Sequence, residues 1–181
     1  MIIFFGPVAS GKSMQGQLLA ARHGWRWISA GQLLRDTHDP VILQTMQTGA
    51  LVEDSAVNNL VSEALIRAKD IKHVILDGYP RTLEEAQWLI KHEPDHARSI
   101  QLVIVMDVPQ EDLIERLQIR GRADDHPEAV AHRLKIYHAE IDPLLDYMQS
   151  QGIRVEHIDG HNTVGRVHDK IEAVLEVCSL A

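Results

Sequence analysis

The chain of 181 residues has one cysteine, Cys178. No internal disulfide can form from it, and the thiolates of a structural zinc site are missing. No apolar run approaches the roughly 20 residues that span a bilayer. The opening Met1-Ile2-Ile3-Phe4-Phe5 is too short for a secretory signal and lacks its basic flank. Positive charge is scarce, since 18 Lys and Arg stand against 26 Asp and Glu, a formal net charge of -8. Binders of polyanions usually carry a basic stripe, so nucleic acid is not expected as a partner, nor is a membrane. Aromatic residues make up only 4%, and Trp25, Trp27 and Trp88 read as packing residues rather than base stackers. The histidines read as helix-surface and loop residues, with no metal site assigned to them. What remains is one cytoplasmic domain, a monomer working on small molecules. An acidic chain must hold any anionic ligand by a local cluster of Arg and Lys, because its overall field repels it.

Against these absences stands Gly6-Pro7-Val8-Ala9-Ser10-Gly11-Lys12-Ser13. It is a complete phosphate-binding loop of the form G-x-x-x-x-G-K-S/T, directly behind the apolar Ile2-Ile3-Phe4-Phe5. The loop needs a strand feeding it and a helix leaving it, so that backbone N–H groups and a helix N-terminus converge on phosphate. Residues Gln15 to Arg22 read as that helix. Nucleoside triphosphate is the expected ligand, met by Gly6, Ala9, Ser10, Gly11, Lys12, Ser13 and Met14.

Beyond the loop, strand and helix alternate without a linker. Short apolar runs at 1–5, 26–28, 73–77, 100–107 and 153–158 read as buried parallel strands, near-continuous in Val, Ile and Leu. Helical patterns fill about 12–23, 31–36, 40–48, 54–69, 82–92, 110–120, 126–150 and 162–178. Asp54 and Asn162 are placed as N-caps, with Pro109 and Pro127 as first-turn residues. This alternation predicts an α/β fold in three layers, a five-stranded parallel sheet covered on both faces. Ligands in such folds sit at the carboxyl ends of the strands, so the chemistry is expected just after residues 5, 28, 77, 107 and 120.

Two clusters fit that expectation. Asp77 ends the apolar run Val74-Ile75-Leu76, where a carboxylate can hold Mg²⁺ directly or through water beside the phosphate loop. Arg81 follows on the same edge, placed to fork a phosphate. Further on, Arg116 and Arg120 share one face of a helix, Arg122 follows on a loop, and Arg133 can fold back from the next helix. Arginines gathered in an acidic protein point to bidentate recognition of oxyanions rather than to solubility.

These segments together resemble the adenylate kinases, within the nucleoside monophosphate kinase family. Ile28-Ser29-Ala30-Gly31-Gln32-Leu33-Leu34-Arg35 resembles the family's S-T-G-D-x-L-R, and Gly49-Ala50-Leu51-Val52-Glu53-Asp54 its G-x-L-V-P-D. Leu76-Asp77-Gly78-Tyr79-Pro80-Arg81-Thr82 resembles L-D-G-F-P-R-T, the most specific of the matches. Arg120-Gly121-Arg122-Ala123-Asp124-Asp125, with Arg133-Leu134 and Tyr137 after it, is similar to the family's lid segment. The resemblance implies a P-loop fold with a small helical monophosphate lobe inserted at about 29–58 and a very short lid at about 120–128. It also implies reversible phosphoryl transfer from Mg·ATP to a nucleoside monophosphate, with Mg²⁺ on Ser13 and, through water, on Asp77. In that scheme Lys12, Arg81, Arg116, Arg120, Arg122 and Arg133 are catalytic. Arg116, Arg120 and Asn162 add to the ATP site. Ala30, Gly31, Arg35, Ala50, Leu51, Val52, Gly78, Arg81, Glu85, Arg122 and Arg133 form the AMP site.

The departures from the pattern fall mainly on the acceptor. Ala30 replaces the usual Thr, as in uridylate–cytidylate kinases, and Gln32 replaces Asp. Glu85 stands where the family places a Gln that reads adenine. An ionised Glu only accepts hydrogen bonds, so it suits the two donors of guanine better, and Gln87 lies on another helical face. Thr82 keeps the adenylate-kinase form. AMP is therefore the expected acceptor, with a UMP/CMP-type or GMP-accepting kinase as the alternative. On the donor side, Ser13 and Met14 replace the usual Gly-Thr, and only Gly121 separates Arg120 from Arg122. So short a lid implies measurable ATP hydrolysis without acceptor, or cover from another subunit. A P-loop kinase of a non-nucleotide metabolite would lack the Asp77-to-Arg81 segment. A silent nucleotide-binding module would have no need of Lys12, Asp77, Arg120 and Arg122 together.

Overall fold

A computed structural model describes residues 1–122 and 125–180. The elements run β1 (Ile2–Phe5), α1 (Lys12–His23), β2 (Arg26–Ser29), α2 (Ala30–Asp36), α3 (Pro40–Gln47) and α4 (Asp54–Arg67). There follow β3 (Val74–Asp77), α5 (Leu83–Lys91), β4 (Leu102–Asp107), α6 (Gln110–Arg120), α7 (Pro127–Ser150), β5 (Val155–Asp159) and α8 (Val164–Val177). The five strands pair in the order β2-β3-β1-β4-β5, all parallel. Each expected strand and helix is present among the described residues, with ends shifted by a few positions.

The alternation of side chains along each strand builds two cores. Ile3 and Phe5 of β1, Leu76 of β3, and Val103 and Val105 of β4 face one layer with Leu65, Leu89, Leu144 and Met148. Ile2 and Phe4, Ile75, and Ile104 and Met106 face the other, with Leu19 of α1 and Ile171 and Leu175 of α8. Because both faces of β1 are buried, its sequence is continuously apolar rather than alternating. Trp25 and Trp88 pack with these layers, and each stacks on a histidine ring, His23 and His92 respectively.

Three cap assignments need correction. Helix α4 is capped by Glu53, whose carboxylate accepts from Ser55 N, so Asp54 is its first helical residue. Helix α8 is capped by Thr163 rather than Asn162, and the Thr hydroxyl accepts from Arg166 N. Pro109 is itself the cap of α6, one position before the first turn, whereas Pro127 opens α7 as expected. In the first two cases an acceptor side chain stands next to the expected cap, and the composition of adjacent polar residues does not decide between them.

The chain reverses direction across the sheet at β1, which has β3 on one side and β4 on the other. A crevice opens at the carboxyl ends of strands at such a switch point. Helices α2 and α3 stand over one side of it, and the N-terminal half of α7 comes down from the other. Gly49 marks their contact. Its φ is +77°, and a Cβ there would lie 2.5 Å from Ala129 O in the first turn of α7. No helix among the described residues is long and apolar enough to cross a membrane.

Candidate active site

The phosphate loop runs from β1 into α1 through residues that only small side chains allow. Gly6 has φ +148°, and a Cβ there would meet Ser10 Oγ at 2.7 Å and Met106 Cβ at 2.9 Å. Gly11 caps α1 in the left-handed region with no side-chain hydrogen bond to the helix, and the first turn of α1 carries no acidic residue. The N–H groups at this helix end thus face an uncluttered, positively poled site. Lys12 Nζ lies over the loop, donating to Gly6 O at 2.6 Å, Pro7 O at 2.7 Å and Ser10 Oγ at 3.2 Å. Burial lowers its pKa to about 8, opposed by the charge of Asp77 and reinforced by Arg81 and Arg120. An oxyanion beside it would restore the full charge.

Asp77 ends β3 with 4% exposure. Its Oδ2 accepts from Ser13 Oγ at 2.5 Å. A hydroxyl and a carboxylate side by side at a phosphate loop are hard oxygen donors of the kind that Mg²⁺ takes. Among the described residues no group of three or more His, Cys, Asp or Glu could hold a metal by itself.

The arginines reach the loop from two helices. Arg116 donates to Ser10 O at 3.4 Å and Gly160 O at 2.9 Å, tying the phosphate loop to the turn after β5. Arg120 forks onto Asp125, with Nε to Oδ2 at 2.7 Å and a second bond to Oδ1. Arg133 NH1 lies 3.6 Å from the same Asp125 Oδ1, and Arg122 N donates to Oδ2 at 3.2 Å. Burial alone would raise this carboxyl; the hydrogen bonds and charge of Arg120, with Arg122 N and Arg133, hold it below the ordinary value. Asp125 therefore sets the spacing of two arginines, a role not assigned to it from the sequence. Ala123 and Asp124 of the expected lid lie outside the described residues.

Across the crevice, α7 grips the end of α3. His126 Nε2 pairs with Gln47 O at 2.9 Å, His132 Nδ1 with Thr48 O at 3.1 Å, and Arg133 NH2 with Met46 O at 3.1 Å. Arg35 on α2 donates to Gln32 Oε1 at 3.2 Å, and Arg81 Nε donates to Gly78 O at 2.9 Å.

All of these arginines line one cavity of about 460 Å³, together with the phosphate loop and Asp77. That volume suits a small-molecule site. Of the residues expected from sequence, the structure brings to its wall Gly6, Ala9 to Met14, Ala30, Gly31, Arg35, Ala50 to Val52, Asp77, Gly78, Arg81, Glu85, Arg116, Arg120, Arg122 and Arg133. Asn162 is not among them; it turns to Asp159, donating to Oδ2 at 3.1 Å. Nor does the end of β4 reach this cavity, since Asp107 and Val108 line a separate hollow beside Pro7. Apart from Tyr137, the α7 wall of Ile136, Glu140, Ile141 and Leu144 was not expected from the sequence. Their spacing of three and four from Arg133 is the signal that would have found them.

Glu85 is the residue whose character the structure changes. It is 3% exposed, in the first turn of α5. Thr82 caps that helix by accepting from Glu85 N at 3.1 Å, and Glu85 Oε2 accepts from Arg81 N at 2.5 Å. This is a near-reciprocal cap of the T-x-x-E type. Burial raises the carboxyl to about 7, with Asp54 adding to the rise; the Arg81 N–H bond and the Arg81 charge oppose it. Burial thus works against the ionised, acceptor-only form of Glu85 expected from the sequence. Desolvation outweighs the helix end and the nearby cation.

A parallel sheet with a phosphate loop at its switch point, faced by an arginine cluster, defines a kinase of the P-loop class. A family model described as adenylate kinase matches residues 4–153. The chain is similar to an adenylate kinase of Thermus thermophilus, 32% identical over 186 residues that cover 97% of each chain. It is likewise similar to adenylate kinases of Maricaulis maris, 34% identical with 97% and 98% covered, and of Prochlorococcus marinus, 36% identical with 96% of each covered. The chain belongs to the adenylate kinase family.

Proposed function

We propose that this protein transfers the γ-phosphoryl group of ATP to AMP, reversibly giving two molecules of ADP. One observation carries the reading. One cavity is lined both by the phosphate loop and by arginines brought from separate elements, Arg35 of α2, Arg81 after β3, Arg116 and Arg120 of α6, Arg122 after it and Arg133 of α7. Two phosphate-bearing ligands fit that arrangement; a simple nucleotide binder needs only one set.

Phosphoryl transfer asks little covalent help of a protein and much preorganised positive charge. The loop amides and Lys12 hold the donor's β- and γ-phosphates. Lys12 gives up its hydrogen bonds to Gly6 O and Pro7 O for phosphate oxygens. Arg35 and Arg81 clamp the acceptor's phosphate in line. Arg120 and Arg133, held at one carboxylate, take the charge that spreads over the moving group. Ser13 and Asp77 would hold Mg²⁺, Asp77 through water, and the ion would supply positive charge against the phosphates. The segment at 29–58 is the lobe that receives the acceptor, and 120–128 the lid that covers the donor. The base of AMP enters the apolar end formed by Ala30, Leu34, Val52 and Val57. We place the enzyme in the cytoplasm as a monomer.

The test is diphosphate formation from Mg·ATP with AMP, dAMP, CMP, UMP and GMP at equal concentration. Preference for AMP is the expected result. Preference for a pyrimidine acceptor would move the assignment to the uridylate–cytidylate type. No turnover with any acceptor would overturn the kinase reading.

A further inference from the structure

Helix α3 has no buried side chain, and only Ile42 and Met46 pack partly against the core. An element with so little apolar contact is not fixed by packing alone. Its carbonyl end is held from α7 instead. Met46 O accepts from Arg133 NH2 at 3.1 Å, Gln47 O from His126 Nε2 at 2.9 Å and Thr48 O from His132 Nδ1 at 3.1 Å. We propose, resting on the nucleoside monophosphate kinase reading of this site, that His126 and His132 are positioning residues for the acceptor lobe. They dock the end of α3 onto α7 and so set the acceptor side of the cavity.

The contact lies where two parts of the site meet. On one side Gly49 turns the chain from α3 into Ala50, Leu51 and Val52 at the cavity wall, its backbone too close to Ala129 O for a Cβ. On the other side His126 follows Asp125, the carboxylate that holds Arg120 and Arg133. Arg133 belongs to both, with NH2 on Met46 O and NH1 3.6 Å from Asp125 Oδ1. The end of the lobe and the arginine set therefore share one anchorage at the start of α7.

The two rings reach α3 differently. A carbonyl only accepts, so each ring must present an N–H to it. His126 does so with Nε2, while its Nδ1 accepts from Ala129 N at 3.3 Å and caps α7. Glu128 Oε2 stands 3.1 Å from that same Nδ1. His132 uses Nδ1 for the lobe itself. The amide of asparagine stands where Nδ1 of histidine does and falls short of Nε2. His126→Asn thus keeps a good helix cap and loses the lobe, whereas His132→Asn keeps the lobe contact.

Loss of one neutral hydrogen bond shifts an equilibrium by roughly two- to tenfold. A smaller docked share lowers the apparent affinity for acceptor by that share, and saturating acceptor restores it. With Mg·ATP, the double variant His126→Asn, His132→Leu should therefore raise KM for AMP by roughly tenfold. Its kcat and its KM for ATP should stay near native. Replacing Leu by Asn at position 132 should recover part of the loss. Spin labels at Val41→Cys on α3 and Lys135→Cys on α7, both exposed, read docking without turnover once the free Cys178 is replaced by Ser. At each AMP concentration short of saturation the double variant should show a smaller docked share than the native pair. A docked share or a KM for AMP equal to native, a loss confined to kcat, or no recovery with His132→Asn would each overturn the proposal, and turnover of AMP in those samples would leave the kinase reading standing. Labels that respond to AMP as expected in a protein that phosphorylates no acceptor would support the docking role and overturn the kinase reading instead.

Discussion

The two ends of the active-site cavity are built by opposite means. The phosphate end is made of short loops and helix ends, its charges partly exposed and held by hydrogen bonds to backbone carbonyls and to Asp125. The base end is part of the hydrophobic core itself, with Ala30, Leu34 and Val57 continuous with Leu65 and Leu89. Charge at the first end is met by opposite charge, Asp77 beside Lys12 and arginines around Asp125, even though burial lowers Lys12. Charge at the second is costly because burial outweighs the charge of Arg81, which is why Glu85 titrates near neutrality whereas Asp125, paired with arginine, is held low. The proposed function then implies a division of labour, with the wet end moving phosphate and the dry end choosing what receives it.

The largest expected effect lies at the wet end. Arg120→Ala should lower kcat by about 10³ to 10⁵, the range for an arginine that serves transition-state charge. The protein should stay folded, since Asp125 keeps Arg133 and Arg122 N as partners. Loss of less than tenfold would remove Arg120 from the catalytic set.

Next comes a stability effect at the dry end. Glu85 has its folded pKa raised above the ordinary 4.5 to about 7. The unfolded chain therefore releases this proton first, and folding stability falls as pH rises from about 4.5 to about 7. Glu85→Gln abolishes that loss while keeping an acceptor for Arg81 N. Urea unfolding should show the variant more stable than native by on the order of 3 kcal/mol at pH 8, and little changed at pH 4.5. Equal differences at the two pH values would show that burial is not what perturbs this group.

Asp125 sharpens the comparison from the other side, because it acts only through the arginines it holds. Asp125→Ala should cost roughly 10²-fold in kcat, as misplacement of catalytic groups by about an ångström does. KM for ATP should move less than kcat. An unchanged kcat would mean that Arg120 and Arg133 keep their places without it. The smallest effect concerns the wall behind Glu85. Tyr79→Phe removes the buried bond to Asn58 and should cost about 1 kcal/mol of stability, read by urea unfolding, with AMP turnover retained.

The same contrast explains what could be read from the sequence. The sheet and its helices were legible because doubly buried strands such as Ile2–Phe5 and Leu102–Met106 are continuous apolar runs. The phosphate loop was legible because its glycines and lysine are fixed by local geometry. The dry end was not. Tertiary burial sets the protonation of Glu85, and no neighbour in sequence reports it. Helix α7 contributes Tyr137, Ile141 and Leu144 through a spacing that reads equally well as core packing. Asn162 failed for a local reason, since Thr163 took the cap and Asp159 took the amide.

The division of labour is tested most directly by running the acceptor panel at pH 8 on Arg120→Ala and Glu85→Gln beside the native enzyme. Arg120→Ala should depress every acceptor by the same large factor and leave their ranking intact. Glu85→Gln should raise AMP relative to GMP without a common loss. A changed ranking in the arginine variant, or a uniform loss in the glutamine variant, would contradict the account.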